Sequence, residues 1–174
     1  MGNNKFKICI IGDSGVGKTT LVNRYLTGVY KAEYAATIGV ELYVKKINID
    51  DNDITLRIWD FAGEMDFRFL LPNYIEGAAA AIYVYDLTRL ETLKNLYEWL
   101  TVLEEASIDY KKDMPLIMVG AKLDLSNERV VTTEQAQKVA EKFGLKNYYE
   151  CSSKTGENVE NIFINVGKIV LSSE

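Results

Sequence analysis

The run Gly12-Asp13-Ser14-Gly15-Val16-Gly17-Lys18-Thr19 carries the clearest chemistry in the chain. It fits G-x-x-x-x-G-K-[ST] and lies between an apolar run, Phe6 to Ile11, and a helix-like segment from Thr20 to Leu26. Strand, glycine loop and helix is the context in which this pattern holds phosphate. Glycines let the backbone curl so that consecutive N–H groups face phosphate oxygens. The helix that follows adds free N–H groups and the positive end of its dipole. Asp13, Ser14, Gly15, Val16, Gly17, Lys18, Thr19 and Thr20 are therefore candidate contacts for a nucleoside triphosphate. The Lys18 ammonium suits the β- and γ-phosphates, and the Thr19 hydroxyl suits Mg²⁺.

Three shorter constellations follow. Asp60-Phe61-Ala62-Gly63 is a D-x-x-G at the end of an apolar run. Such an aspartate can hold Mg²⁺ through water, and the glycine lets a backbone N–H approach the γ-phosphate. Alone the pattern is a common turn; its place downstream of the phosphate loop gives it weight. In Gly120-Ala121-Lys122-Leu123-Asp124, the Asp124 carboxylate can accept from N1–H and the 2-amino group of guanine, with the Lys122 stem across the base. Adenine lacks that donor pair and would leave the acceptor unpaired. By itself this segment is better explained as a solvated loop pair. Ser152, Ser153 and Lys154, in Glu150-Cys151-Ser152-Ser153-Lys154, can bring backbone amides to the guanine O6.

Elements placed around these residues must bring them to one edge. Apolar runs predict strands over 5–11, 40–50, 54–60, 78–85, 116–120 and 148–151. Several are almost continuously apolar, as strands covered on both faces are. Helical spacing predicts helices over 18–26, 67–76, 90–106, 133–143 and 159–171. Thr132 or Thr133 can cap the fourth, and Gly144 can close it. Asp50-Asp51-Asn52-Asp53 reads as a hairpin turn, so the second and third strands pair antiparallel. Alternation elsewhere implies right-handed βαβ units. The expected fold is α/β: a six-stranded, mostly parallel sheet with one antiparallel strand, flanked by about five helices. Ligands in such sheets bind at the carboxyl ends of the strands, where Gly12–Thr19 falls.

The 174 residues suit one domain spanning the chain. Hydrophobic residues make up 48% and charged residues 26%, an ordinary globular profile. A net charge of −5 without a basic run argues against nucleic acid or an anionic membrane as the main partner. There is no histidine, so catalysis must use carboxylates, hydroxyls, lysine, backbone amides or an oxygen-ligated metal. Cys9 and Cys151 lie in strand-like runs and read as buried free thiols of a reducing, cytoplasmic compartment. No apolar run reaches a membrane span. The first residues lack a complete myristoylation motif, and Val170-Leu171-Ser172-Ser173-Glu174 offers no cysteine to prenylate. The expectation is a soluble protein, or one attached peripherally to membranes through a further native tail.

From about Lys5 to Leu171 the chain resembles the Ras superfamily of small GTPases, most closely its Rab branch. Besides the phosphate loop, the resemblance rests on Thr37-Ile38-Gly39-Val40-Glu41 and Trp59-Asp60-Phe61-Ala62-Gly63, which are similar to the two switch phrases. Tyr83-Val84-Tyr85-Asp86-Leu87-Thr88 and Thr155-Gly156-Glu157-Asn158-Val159 complete five ordered matches. The resemblance implies a P-loop NTPase G domain, Mg²⁺ and GTP or GDP as ligands, and a monomer. It implies that Thr37 binds Mg²⁺ and the γ-phosphate; the residues alone make it a loop threonine. It also implies that Tyr30 stacks on guanine and Tyr34 covers the phosphates. Thr19, Thr37 and Asp60 would set the metal, with Lys18, Thr37, Gly63 and residue 64 at the reaction. Such contacts order the switches, and hydrolysis releases them. An exchange factor, an activating protein that supplies an arginine, and vesicle-trafficking effectors are implied partners. Leu42, Trp59 and Tyr74 hold the positions of the branch's effector-facing aromatic triad, although simple strand packing also accounts for Leu42 and Trp59.

The chain departs from that pattern in several places. Glu64 stands where the family has the glutamine that orients water. It can accept but not donate, and it brings negative charge near the γ-phosphate, so slow hydrolysis is expected. Met65, Asp66 and Glu76 make the second switch acidic and predict unusual regulators. Ala121 replaces the asparagine that ties guanine to the phosphate loop, which predicts faster nucleotide release. Two other readings stay open. One is a GTP-loaded adaptor with negligible hydrolysis, favoured by Glu64 and Ala121. The other is an ATP-using phosphate-loop enzyme, which needs a second substrate site and lid arginines.

Overall fold

The computed structural model describes residues 4–106, 109 and 114–173. Six strands form one sheet: β1 Lys5–Ile11, β2 Val40–Ile49, β3 Asn52–Phe61, β4 Ala80–Asp86, β5 Leu116–Ala121 and β6 Asn147–Glu150. Their spatial order is β2-β3-β1-β4-β5-β6. The β2–β3 pair is antiparallel and every other pair is parallel, as the alternation of elements predicts. Strand β1 therefore has a neighbour on each side reached by a separate crossover. That makes its carboxyl end a switch point of the topology, where open α/β sheets bind ligands.

Alternate residues of β1 point to opposite faces. Ile8 and Ile10 join a core completed by α1 Lys18–Thr27 and α7 Val159–Leu171. Cys9 and Ile11 join a second core beneath α3 Leu71–Ile75, α5 Leu96–Glu105 and α6 Thr133–Lys142. On the first face the rings of Tyr25 and Phe163 stack with centroids 3.9 Å apart, joining α1 to α7. Both cysteines are buried and free, and burial pushes each thiol up to about 12.

Two of the five expected helices break in two. The segment expected over 67–76 becomes α2 Met65–Arg68 and α3, because Pro72 sits in the first turn of α3. Proline has no N–H and collides with the carbonyl four residues back, so one helix cannot run through it. The helix expected over 90–106 becomes α4 Leu90–Lys94 and α5, which meet at Asn95. The hairpin turn is tighter than its four-residue signal: Asp50 and Asp51 alone span it, at φ 48° and 65°, the twist that suits a two-residue connection. The α6 terminus matches its signals. Thr132 caps it with Gln135 in a reciprocal box, and Gly144 follows at φ 71°. No helix among the described residues is long and apolar enough to cross a membrane.

Candidate functional site

At the carboxyl end of β1 the chain turns through Gly12, whose φ is 142°. A Cβ there would stand 2.1 Å from the Val84 carbonyl oxygen, so only glycine lets the loop lie against β4. Gly15 and Gly17 are also left-handed, and α1 begins with no side chain capping it. Its first N–H groups are left for an acceptor from outside. The loop borders a cleft of about 510 Å³, a size that suits a small-molecule ligand. Ser14, Gly15, Val16, Gly17, Lys18, Thr19 and Thr20 line it. Lys18 is buried, and its Nζ donates to the Asp13 carbonyl at 2.8 Å. Burial lowers its pKa to about 8, against the pull of the Asp60 and Asp13 carboxylates.

Beside Lys18 three oxygen-bearing side chains converge from three segments. The Thr19 hydroxyl donates to Asp60 Oδ2 at 2.5 Å and lies 2.8 Å from the Thr37 hydroxyl. Asp60 is fully buried and its Oδ1 has no partner. Burial raises this carboxyl to about 6, although Thr19 and Lys18 pull it down. An orphaned buried carboxylate oxygen next to two hydroxyls is a donor set for a hard cation. Among the described residues no three His, Cys, Asp or Glu side chains gather into a metal cage. Mg²⁺ suits such a partial set, since it takes one or two carboxylates and completes its shell with phosphates and water.

The other wall comes from loops after β5 and β6, adjacent parallel strands. Ala121, at the end of β5, and Lys122, Asp124, Ser153 and Lys154 line the cleft, as do Tyr30, Tyr34 and Thr37. Lys122 bridges the loops: its Nζ donates to the Gly15 carbonyl at 3.1 Å and pairs with buried Asp86 at 2.7 Å. Ser152 is buried and does not line the cleft. Its hydroxyl donates to Asp124 Oδ1 at 2.6 Å and accepts from the Thr155 N–H, which fixes the carboxylate. Gly63 and Glu64 also line the cleft.

Asp13 is placed otherwise. It does not line the cleft; its carboxylate turns away and accepts from Arg68, Asn95 and Trp99. Arg89 donates to the Ser14 carbonyl at 3.1 Å. None of these four partners carries a motif, and they lie 55 to 86 residues from the loop they touch. Leu125 and the run Ala32, Glu33, Ala35, Ala36 are further lining residues that no sequence signal marks. Leu42 pairs across β2–β3 with Trp59, and the Trp59 and Tyr74 rings lie 5.9 Å apart. Leu42 and Tyr74 are exposed and Trp59 is half-buried, so the three form one face.

Comparison with known families agrees with this geometry. The model of the Ras family matches residues 7–172. The chain belongs to the Ras family, whose members are GTP-binding switches with GTPase activity. They bind GTP or GDP, generally with Mg²⁺, and act through regulators and effectors.

Proposed function

We propose that the cleft binds Mg²⁺ and GTP, that the chain hydrolyses GTP slowly, and that its GTP form binds effectors as a Rab-like switch. One observation carries this: Thr19, Thr37 and Asp60 meet beside Lys18 at the mouth of the phosphate loop. Bound there, Mg²⁺ would offset charge on the β- and γ-phosphates. Lys18 and the loop amides hold the same oxygens, and the N–H groups of Thr37 and Gly63 serve the γ-phosphate. Asp124 reads the guanine edge, Lys122 lies along the base, and the amides of Ser153 and Lys154 meet O6. Tyr30 and Tyr34 close the cleft from the first switch. Water attacks directly, so no residue needs to form a covalent intermediate.

Glu64 is exposed at the cleft. Its carboxylate accepts a hydrogen bond from the attacking water but donates none to the transferring group, and its charge opposes that of the phosphate. A partner supplies the stabilising arginine, since Arg68 and Arg89 are both engaged on the outside of the loop. Leu42, Trp59 and Tyr74 present the effector face. Glu64 also favours the second reading, a GTP-loaded adaptor whose turnover is negligible.

Titration of the nucleotide-free protein with GTP and ATP in Mg²⁺ tests the ligand. GTP should bind roughly 100-fold tighter or more, because adenine lacks the donor pair that Asp124 would accept from guanine. Equal affinities would rule out the guanine reading.

A further inference from the structure

The segment from Gly63 to Arg68 meets the phosphate loop at both ends: Gly63 lies against the backbone of Gly12, Asp13 and Ser14, and Arg68 bonds to the Asp13 side chain. Gly63 packs so tightly that a Cβ would stand 2.3 Å from the Asp13 carbonyl carbon and from the Ser14 nitrogen. Arg68, at the end of α2, donates from Nη2 to Asp13 Oδ1 at 2.9 Å. The two side chains are only 12% and 13% exposed, so solvent and salt screen the pair weakly. Trp99 of α5 and Asn95, just before it, complete the carboxylate: Trp99 Nε1 donates to Oδ1 at 2.9 Å and Asn95 Nδ2 to Oδ2 at 2.7 Å. The Arg68 guanidinium lies 4.6 Å from the centroid of the Trp99 ring. A carboxylate held by donors from two elements has one orientation, and charge-assisted bonds are the strong ones.

What lies between these contacts is little buried. Helix α2 is four residues long and buries none of them, and Met65 is 73% exposed. Glu64, which lines the cleft, sits inside this span. We infer that Arg68 is a positioning residue: through Asp13 it pins α2 to the phosphate loop and sets residue 64 against the cleft. The inference rests on the reading of the cleft as a GTP site. The other arm of Arg68 reaches Glu98 at 2.7 Å, but Glu98 is 54% exposed, and such pairs add little.

Three readouts test this on the whole chain: amide hydrogen exchange over 64–68, single-turnover hydrolysis of preloaded GTP, and equilibrium GTP affinity. Arg68→Ala should raise exchange over 64–68 by about tenfold or more and slow hydrolysis about tenfold, with affinity within about threefold. Arg68→Lys should recover part of both, since it keeps the charge and loses the fork. Glu98→Gln should leave all three within about twofold. Unchanged exchange and hydrolysis in Arg68→Ala would overturn the inference. So would a loss of affinity as large as the loss of rate, which would make Arg68 a support of the phosphate loop alone. If Arg68→Ala does not fold, Asp13→Asn carries the same test, and unchanged exchange over 64–68 overturns the pin. Wild-type protein that binds no guanine nucleotide would instead overturn the reading of the cleft, while the exchange arm still decides the pin.

Discussion

On the proposed reading of the cleft, Glu64 governs the rate of hydrolysis and Ala121 the rate of nucleotide release. With GTP bound as proposed, the Glu64 carboxylate could accept from the attacking water but would lack the donor that steadies the transition state. Glu64→Gln should raise single-turnover hydrolysis by about tenfold, well under the full effect of a lost preorganised donor; an unchanged rate would show that residue 64 takes no part. Ala121 leaves a methyl group where an amide could bridge base and loop. Restoring it should be worth about 1–3 kcal/mol. Ala121→Asn should therefore slow GDP release roughly 5-fold to 150-fold, read by chase of a fluorescent nucleotide. At this scale the sequence was most legible where function is local. Lys18, Thr19 and the loop amides follow from one contiguous motif. The side chain of Asp13 does not, because its partners arrive from α2 and α5 through tertiary packing.

The longer elements are held by faces that the sequence pattern marks, and several of their ends are set by single residues. The 159–171 helix was legible from its apolar stripe, and Phe163 on that stripe is fully buried against Tyr25. Phe163→Ala should cost about 3–5 kcal/mol, seen as a lower urea midpoint with the fold retained; a loss under about 1 kcal/mol would mean the α1–α7 contact is not a mainstay of the core. Pro72 explains the break between α2 and α3, a signal that the helical period concealed. The break at Asn95 had no such signal. Its amide is drawn to Asp13, 82 residues away, so the constraint is tertiary and invisible in the local pattern. The β2–β3 hairpin was legible in kind but not in length, since four polar residues fit more than one turn and only the register in the folded sheet selects two.

For the molecule as a whole, buried charge joins the loops that meet at the cleft. Burial pushes the Asp86 carboxyl up, but Lys122 and Thr88 pull it further down, so it ends below its ordinary value. Glu150 shows the same balance, with Arg129, Tyr148 and Thr133 outweighing burial. Carboxyls depressed in the folded chain add stability that is full at neutral pH and fades as pH falls through about 4 and below. In nucleotide-free protein the urea midpoint should rise modestly between pH 7 and 5, as buried Asp60 takes up a proton, and then drop below about pH 4; a midpoint at pH 3 no lower than at pH 5 would show that these pairs are not coupled to folding. The most direct measurement joins identification of the nucleotide that co-purifies with phosphate release by the purified protein in Mg²⁺. The purified protein should carry bound guanine nucleotide and hydrolyse GTP slowly, with Mg²⁺, in preference to ATP. Bound adenine nucleotide, or release from ATP at the same rate as from GTP, would contradict the reading of the cleft as a GTP site.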